Sequence, residues 1–162
     1  MARKKKPPIQ KPVRYRPSDY PTTLVRAIHA KSYAHLSASL SRYDLAPVDW
    51  RILSTLQEED GHNIAYLAER TATERSNLTR AVDKLEQRGL LSRRRELRDR
   101  RHVQLYLTAA GRRKFEEALP TVLWNIDRVV AGFSKDDLET LMDFLNRMRD
   151  NVHLGGDAFN VA

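Results

Sequence analysis

Apolar residues recur every three or four positions over most of this chain, which is the spacing of helices that bury one face. The first such segment runs from Thr23 to Tyr43, and five more follow it. Between the fourth and the fifth, strict alternation of apolar and polar residues replaces the helical spacing. The pattern predicts a mainly α-helical fold with one β-hairpin, whose six helices begin near these residues: Thr23, Pro47, Asn63, Glu74, Thr108 and Ser134.

Residues that favour helix ends support these boundaries. Pro47 suits the first position of a helix because it has no amide hydrogen to leave unpaired. Asn63, Thr108 and Ser134 stand where a side-chain oxygen accepts one of the free amides that begin a helix. Gly89 follows the fourth helix, at the position where a left-handed backbone ends many helices.

The predicted hairpin joins LLSRRR to HVQLYL through a strongly charged turn. In the stretch RRRELRDRRHVQL, residues 93–105, six of the first nine residues are arginine. Val103, Leu105 and Leu107 then alternate with polar or amphipathic residues, which gives the second strand one apolar face. Like charges in a turn repel each other, so this turn indicates an anionic partner.

Positive charge is concentrated in two segments. The net charge of the 162-residue chain is +8, yet residues 1–16 carry +7 and residues 88–101 carry +5, and the remainder is slightly acidic. Two basic clusters beside a nearly neutral body are typical of proteins that bind a polyanion. Residues 1–22 are also rich in proline and are predicted to form a disordered arm, with a loose tail at residues 153–162.

Composition excludes several classes of protein. The chain has no cysteine, so it forms no disulfide, thiolate zinc site or thiol redox switch. No apolar run approaches the ~18 residues that a membrane span needs, and no apolar core follows the basic N-terminus as in a secretory signal. We therefore expect a soluble cytoplasmic protein that does not act at a membrane.

The order helix, helix, tight turn, helix and hairpin is that of a winged helix-turn-helix, in which the helix after the turn enters the DNA major groove. On a helical wheel, Leu78, Val82 and Leu85 share one face and should contact the core. The opposite side and its shoulders offer groups that hydrogen-bond to base edges or phosphates. An ordinary solvated helix face would also be polar, so the helix alone does not predict DNA binding. The hairpin beside it does, because its arginines would contact phosphates and a narrow minor groove.

At these residues the sequence resembles the MarR family of winged helix-turn-helix transcription regulators. The resemblance covers about residues 24–150 and rests on three motifs in order: LAPVDWRIL, LAERTATERSNLTRAVDKLEQRGLLSRR and RDRRHVQLYLTAAG. It implies a homodimer, within a domain at residues 23–152. Residues 44–108 would form the DNA-binding lobe, and residues 23–43 and 109–152 would form the dimerisation helices.

The resemblance also assigns DNA-binding roles in the predicted wing and in the helix before it. Asp99 would fix the tip of the wing, Arg101 would enter the minor groove, and Arg98 and Arg100 would contact phosphates. His102 departs from the small residue usual at its position, and Ala46 departs from the usual Ser or Thr cap, which Asp49 offsets in part. The DNA-binding positions on the helix are Arg75, Ser76, Asn77, Thr79, Arg80 and Lys84.

The resemblance further implies a cleft for a small aromatic acid or its conjugate, between the dimerisation helices and the lobe. An arginine beside an aromatic ring can hold a carboxylate while the ring stacks. Alternatives stay open. A tryptophan at position 50 is more often a core residue, Arg51 could pair with an acid such as Asp49 or Glu58, and histidines on a helix are more often surface or core groups than ligands. The candidate ligand-binding residues are His29, Tyr33, His35, Trp50 and Arg51.

Two other functions are weighed against a ligand-released repressor of pseudo-palindromic operators. The basic arm would also suit a non-specific or architectural nucleic-acid-binding protein. An enzyme is not expected, because the sequence contains no paired carboxylates in a suggestive context, no metal-spaced histidines and no glycine-rich phosphate loop. No cofactor or metal is expected for the same reason.

Overall fold

The computed structural model describes residues 16–95 and 103–154. This part of the chain is mostly helical and contains a two-stranded antiparallel hairpin, as the pattern predicts. Short 3-10 helices at Pro17–Asp19 and Ser41–Tyr43 flank the first helix. The elements are α1 (Pro21–Leu40), α2 (Pro47–Glu58), α3 (Ile64–Thr71), α4 (Arg75–Gln87), β1 (Leu91–Arg95), β2 (Val103–Leu107), α5 (Ala109–Val129) and α6 (Lys135–Leu154).

The predicted helix caps are confirmed. The Asn63 side chain accepts the Tyr66 amide at 2.9 Å, and Thr108 Oγ1 accepts the Gly111 amide at 3.0 Å. Ser134 Oγ accepts the Asp137 amide at 3.2 Å, and the Asp137 carboxylate accepts the Ser134 amide at 2.9 Å. Ser134 Oγ also donates to the Asp137 carboxylate at 2.7 Å, and this bond, followed by the one from the Ser134 amide, lowers the pKa of Asp137 below its ordinary value of 3.8. Side-chain caps of this kind stabilise a helix by about 1 kcal/mol each.

Two boundaries differ from the sequence prediction. The disordered arm was placed at residues 1–22, whereas the 3-10 helix begins at Pro17 and α1 begins at Pro21. Each proline stands at the start of a helix, where its fixed φ angle fits the helix and its missing amide hydrogen is not needed. At the other end, α6 extends to Leu154, beyond the predicted limit of residue 152.

The core lies in the lobe formed by α2, α3, α4 and the hairpin, and α1 and α5 cover it. Burying one leucine or isoleucine side chain contributes roughly 1.5–3 kcal/mol, so this cluster supplies most of the stabilisation of the lobe. Trp50 of α2 stacks on Phe115 of α5, with ring centroids 4.8 Å apart. Among the described residues, the largest fully buried side chains are Leu40, Ile52, Leu53, Leu56, Leu67, Leu78, Val82, Leu85 and Leu105.

The second strand of the hairpin has backbone hydrogen-bond partners on both of its edges. Leu91 pairs with Leu107 and Arg95 pairs with Val103 in the register of the two strands. On the other side of β2, Leu105 exchanges backbone hydrogen bonds of 2.9 Å with Gly61 and His62. The alternation predicted for β2 is confirmed at Leu105 and Leu107, which are buried, whereas Val103 is half-buried.

The outer helices leave large apolar side chains uncovered. α6 does not pack extensively against any other element of the described chain, although Phe144 and Leu145 lie along it. In the part of the chain that the structure describes, no helix is long and apolar enough to cross a membrane. The exposed apolar residues of α1, α5, α6 and their connection include Leu24, Val25, Ile28, Leu123, Trp124, Ile126, Val129, Phe133, Met142, Phe144 and Val152.

Candidate nucleic-acid interface

The helix α4 presents one polar face to solvent and buries the other. Leu78, Val82 and Leu85 are fully buried, as the helical wheel predicts. The core therefore fixes the rotation of α4 about its axis, so that its outward face is set by packing. All six predicted DNA-binding residues of this helix are exposed, namely Arg75, Ser76, Asn77, Thr79, Arg80 and Lys84.

Hydrogen bonds within α4 orient two of the groups that would contact DNA. Arg80 Nη2 donates to Asn77 Oδ1 at 2.6 Å, so the guanidinium and the amide lie side by side on one turn. The remaining Arg80 donors and the Asn77 amide nitrogen can then approach neighbouring base pairs together. Thr79 Oγ1 donates to the Arg75 carbonyl at 2.8 Å.

The turn that leads into α4 has an unusual backbone. Ala72 has φ of +49°, a left-handed conformation that side chains other than glycine and asparagine seldom adopt. Thr73 donates its amide to the Ala68 carbonyl at 3.2 Å and its hydroxyl to the Thr71 carbonyl at 3.1 Å. These contacts keep α3 and α4 in a fixed relation.

An arginine of the hairpin clamps it to α4, which the sequence analysis did not anticipate. Arg93 of β1 donates Nη1 to Glu86 and Nη2 to Asp83, both at 2.6 Å. Asp83 therefore belongs to the contact between α4 and the hairpin, although the wheel places it on the DNA-facing side. The signal available in the sequence was the i, i+3 spacing of the two acids, which puts both on one side of a helix.

The next arginine of β1 has a different environment. The Arg94 guanidinium lies 4.5 Å from the centre of the Tyr106 ring, across the hairpin. It is exposed, so it can reach a phosphate when DNA lies beside the hairpin. The predicted wing residues Arg98, Asp99, Arg100, Arg101 and His102 lie outside the residues that the structure describes.

A buried carboxylate begins α2. Asp49 is 8% exposed and accepts the Ala46 amide at 2.8 Å, so the compensation expected for the missing cap at Ala46 is present. Burial raises the pKa of Asp49 above its ordinary value of 3.8, and the Ala46 hydrogen bond opposes part of that rise. Asp49 lies at a groove of about 500 Å³ that is also lined by Lys84 of α4 and by Arg88, the residue that follows α4.

The five residues predicted to bind a small ligand do not form one cluster. Tyr33 lies between His29, whose ring centre is 5.9 Å away, and the Arg51 guanidinium, which is 5.7 Å from the Tyr33 ring centre. Trp50 is instead part of the core. His35 lies on another side of α1, where it lines a small cavity with Lys31 and Arg128.

Arg51 has neither of the acidic partners considered for it. Asp49 is bonded to Ala46, and Glu58 pairs with Arg70 at 3.4 Å. Arg51 Nη1 instead lies 3.4 Å from both the Thr71 carbonyl and Thr73 Oγ1. Its guanidinium thus stands between Tyr33 and the turn before α4.

Comparison with known proteins agrees with this geometry. Residues 45–103 match the model of the MarR family. The chain is 30% identical over 95 residues to the HTH-type transcriptional repressor MdtR of Bacillus subtilis, a match that covers 59% of this chain and 61% of that repressor. The chain thus spans less than two thirds of the length of that relative.

Solved structures extend the likeness beyond the lobe. A MarR family transcriptional regulator from Silicibacter pomeroyi superposes with a TM-score of 0.75 at 27% identity, over 90% of this chain and 95% of that one. CouR from Rhodococcus jostii RHA1, solved bound to p-coumaroyl-CoA, gives a TM-score of 0.70 at 26% identity, over 91% and 97% of the two chains. Residues 45–103 are therefore similar to the MarR family model, and the chain has the winged-helix fold seen in solved transcriptional regulators of that family.

Proposed function

We propose that this protein is a sequence-specific DNA-binding transcription regulator, and that it represses by binding a pseudo-palindromic operator as a homodimer. The observation that carries the proposal is the outward face of α4. Its rotation is set by a fully buried apolar face, and its Arg80 and Asn77 side chains are joined at 2.6 Å. A rigid helix that offers guanidinium, amide and hydroxyl groups has the chemistry for reading base edges.

The exposed apolar residues of the outer helices support the dimer. Trp124 of α5, Met142 of α6 and Val152 of α6 are 55%, 56% and 78% exposed in the single chain. Large apolar side chains exposed in this number are costly in water and are typical of an interface between subunits. A second copy, related by two-fold symmetry, would cover these helices and place two α4 helices about one turn of DNA apart.

The side chains around Tyr33 support control by a small ligand. Arg51 is a half-buried cation that makes no ion pair with the described residues, and the Tyr33 and His29 rings lie beside it. A carboxylate would satisfy the guanidinium while an attached ring stacks on Tyr33. The p-coumaroyl-CoA bound to CouR, an aromatic acyl conjugate, is consistent with this class of ligand. Binding of such a ligand would release the operator.

A selection of bound fragments from the genome, followed by footprinting, tests the proposal. We expect protection of two half-sites related by a dyad, and a mass by light scattering of twice 18.8 kDa. The variant Arg80→Ala should lose its preference for the selected sequence, whereas Arg149→Ala, an exposed arginine of α6, should keep it. Protection of a single half-site by a monomer would contradict the proposal.

A non-specific nucleic-acid-binding protein is the second candidate, favoured by the +7 charge of residues 1–16. In that case Arg80→Ala would weaken binding equally on every sequence. The same variant therefore separates the two candidates.

A further inference from the structure

Arg51 lies between α1 and the turn that precedes α4. One side of its guanidinium approaches the Tyr33 ring of α1, with 5.7 Å from Cζ to the ring centre. On the other side, Nη1 donates to the Thr71 carbonyl and the Thr73 hydroxyl, both at 3.4 Å. Arg51 itself is on α2, one residue after the buried Trp50, so its backbone is held by the core.

The turn that Arg51 contacts sets the position of α4. Ala72 stands between the two threonines with φ of +49°, and a left-handed backbone at a residue with a Cβ atom needs support from its surroundings. Thr73 is followed by Glu74, whose carbonyl accepts the Asn77 and Leu78 amides and so begins α4. A loss of support at Thr71 and Thr73 would therefore loosen the start of the helix that bears the DNA-binding face.

The length of the Arg51 hydrogen bonds to Thr71 and Thr73 favours their replacement by a hydrogen bond to a carboxylate. A distance of 3.4 Å to a neutral oxygen is long for an N–H···O hydrogen bond, whose usual range is about 2.7–3.2 Å. Hydrogen bonds from a guanidinium to a carboxylate are shorter and roughly twice as strong. Within the described residues only Nη1 of Arg51 makes hydrogen bonds. The other N–H groups of the guanidinium can therefore donate to a second partner.

We propose that Arg51 is a positioning residue for the DNA-binding helix. We also propose that it transmits to that helix the binding of a carboxylate beside Tyr33. In the empty protein the guanidinium holds Thr71 and Thr73, and the turn is fixed. A carboxylate beside Tyr33 withdraws the guanidinium from both threonines, the turn loosens, and operator affinity falls. The carboxylate step rests on the ligand control that forms part of the proposed function, whereas the role of Arg51 in positioning the turn does not.

Two variants and one matched control test the positioning. Arg51→Gln removes the positive charge and the guanidinium group. Thr73→Val removes the hydroxyl oxygen that accepts from Arg51, while Arg51 itself is unchanged. Arg70→Gln removes an equivalent charge from the neighbouring α3, where Arg70 pairs with Glu58, without touching the turn. Hydrogen exchange of the backbone amides of residues 72–78 is measured first, because it does not depend on DNA.

We expect amides 72–78 to exchange about tenfold faster in Arg51→Gln and several-fold faster in Thr73→Val. Arg51→Lys should exchange more slowly than Arg51→Gln, because it keeps a positive charge and an N–H donor. Arg70→Gln should match the native protein. Native exchange rates in Arg51→Gln would overturn the proposal, whatever the protein does with DNA.

Operator binding tests the transmission. Arg51→Gln should bind the selected operator about tenfold more weakly with an unchanged salt dependence, because Arg51 contacts no phosphate. Benzoate is the probe and benzamide is its uncharged counterpart. We expect benzoate to weaken operator binding by the native protein and not by Arg51→Gln, and benzamide to affect neither.

The outcomes separate this inference from the proposed function. If benzoate weakens binding equally in native protein and Arg51→Gln, or leaves the native protein unaffected, transmission through Arg51 is wrong while the DNA-binding function stands. If the native protein selects no operator, the proposed function fails, and the exchange experiment still decides whether Arg51 holds the turn.

Discussion

Replacement of Arg93 by glutamine would show whether the hairpin is fixed to α4 by one side chain. In the native protein the guanidinium reaches two acids at once, with 2.6 Å from Nη1 to Glu86 and 2.6 Å from Nη2 to Asp83. Glutamine has no charge and only one nitrogen donor, so it can satisfy neither acid as well. The variant Arg93→Gln also leaves two carboxylates without a counter-charge on the helix proposed to contact DNA.

The expected loss of stability is modest because water reaches all three side chains. Arg93 is 30% exposed, Asp83 is 45% exposed and Glu86 is 36% exposed. Screening reduces each ion pair to about 0.5 kcal/mol, so the pair together contributes about 1 kcal/mol. For a domain of this length such a loss lowers Tm by roughly 3 °C.

The expected loss of DNA affinity is larger than the loss of stability. Freed Asp83 and Glu86 carboxylates would lie close to phosphates, and the hairpin would lose its fixed angle to α4. We expect Kd for the operator to rise about tenfold, which corresponds to about 1.4 kcal/mol. The salt dependence should stay unchanged, because a side chain that pairs with two acids releases no counterion from DNA.

Fluorescence anisotropy at several salt concentrations, together with thermal unfolding, measures both quantities. Arg94→Gln is the matched control, since Arg94 is the next residue of β1 and stacks on Tyr106 instead of pairing with an acid. If Arg94 contacts a phosphate, its replacement reduces the salt slope by about 0.9 and leaves Tm nearly unchanged. A reduced salt slope with an unchanged Tm in Arg93→Gln would refute the clamp and make Arg93 a phosphate contact.

Three further predictions concern packing, pH and the basic arm. Gly111→Ala places a Cβ atom against the Leu90 carbonyl oxygen, and the required backbone shift should lower the free energy of unfolding by about 2–3 kcal/mol, as measured by urea titration. A urea midpoint equal to that of the native protein would contradict the tight contact. Burial raises the pKa of Asp49 above 3.8, so the folded state binds a proton more tightly than the unfolded chain, and stability falls as pH rises from 3.8 through the raised pKa. Asp49→Asn, which still accepts the Ala46 amide, should flatten that fall in urea titrations between about pH 4 and pH 7, and an unaltered pH profile would count against burial as the cause. Deletion of residues 2–16 should weaken DNA binding and flatten its salt dependence, and an unchanged slope would mean that the arm does not contact DNA.

The helices and their caps could be predicted from the sequence because the forces that set them are local. Asn63 and Thr108 lie within three residues of the amides that they accept, and the apolar spacing of α4 needs only the helical repeat. The exposed DNA-binding face of α4 followed from the same repeat. The start of α1 was missed because a proline-rich, basic segment is typical of disorder, while Pro17 and Pro21 are also well suited to begin helices.

The contacts that decide the site are not local and could not be predicted in this way. A helical wheel shows that Asp83 is on the outside of α4, but it does not show that Arg93, ten residues later, folds back to it. Arg51 reaches threonines that are 20 and 22 residues away, past two nearby acids that have other partners. Trp50 and Arg51 are neighbours in the sequence, yet α2 places Trp50 in the core and Arg51 beside Tyr33.

The central claim is that α4 reads DNA sequence, and one binding comparison tests it most directly. Native protein and Arg80→Ala are titrated by anisotropy onto the selected operator and onto a scrambled duplex of equal length at ~150 mM salt. We expect native protein to bind the operator at least about 10³-fold more tightly than the scrambled duplex. We also expect Arg80→Ala to lose about tenfold or more of that ratio while its affinity for the scrambled duplex changes little. Equal native affinity for the two duplexes, or an equal loss on both in the variant, would contradict it.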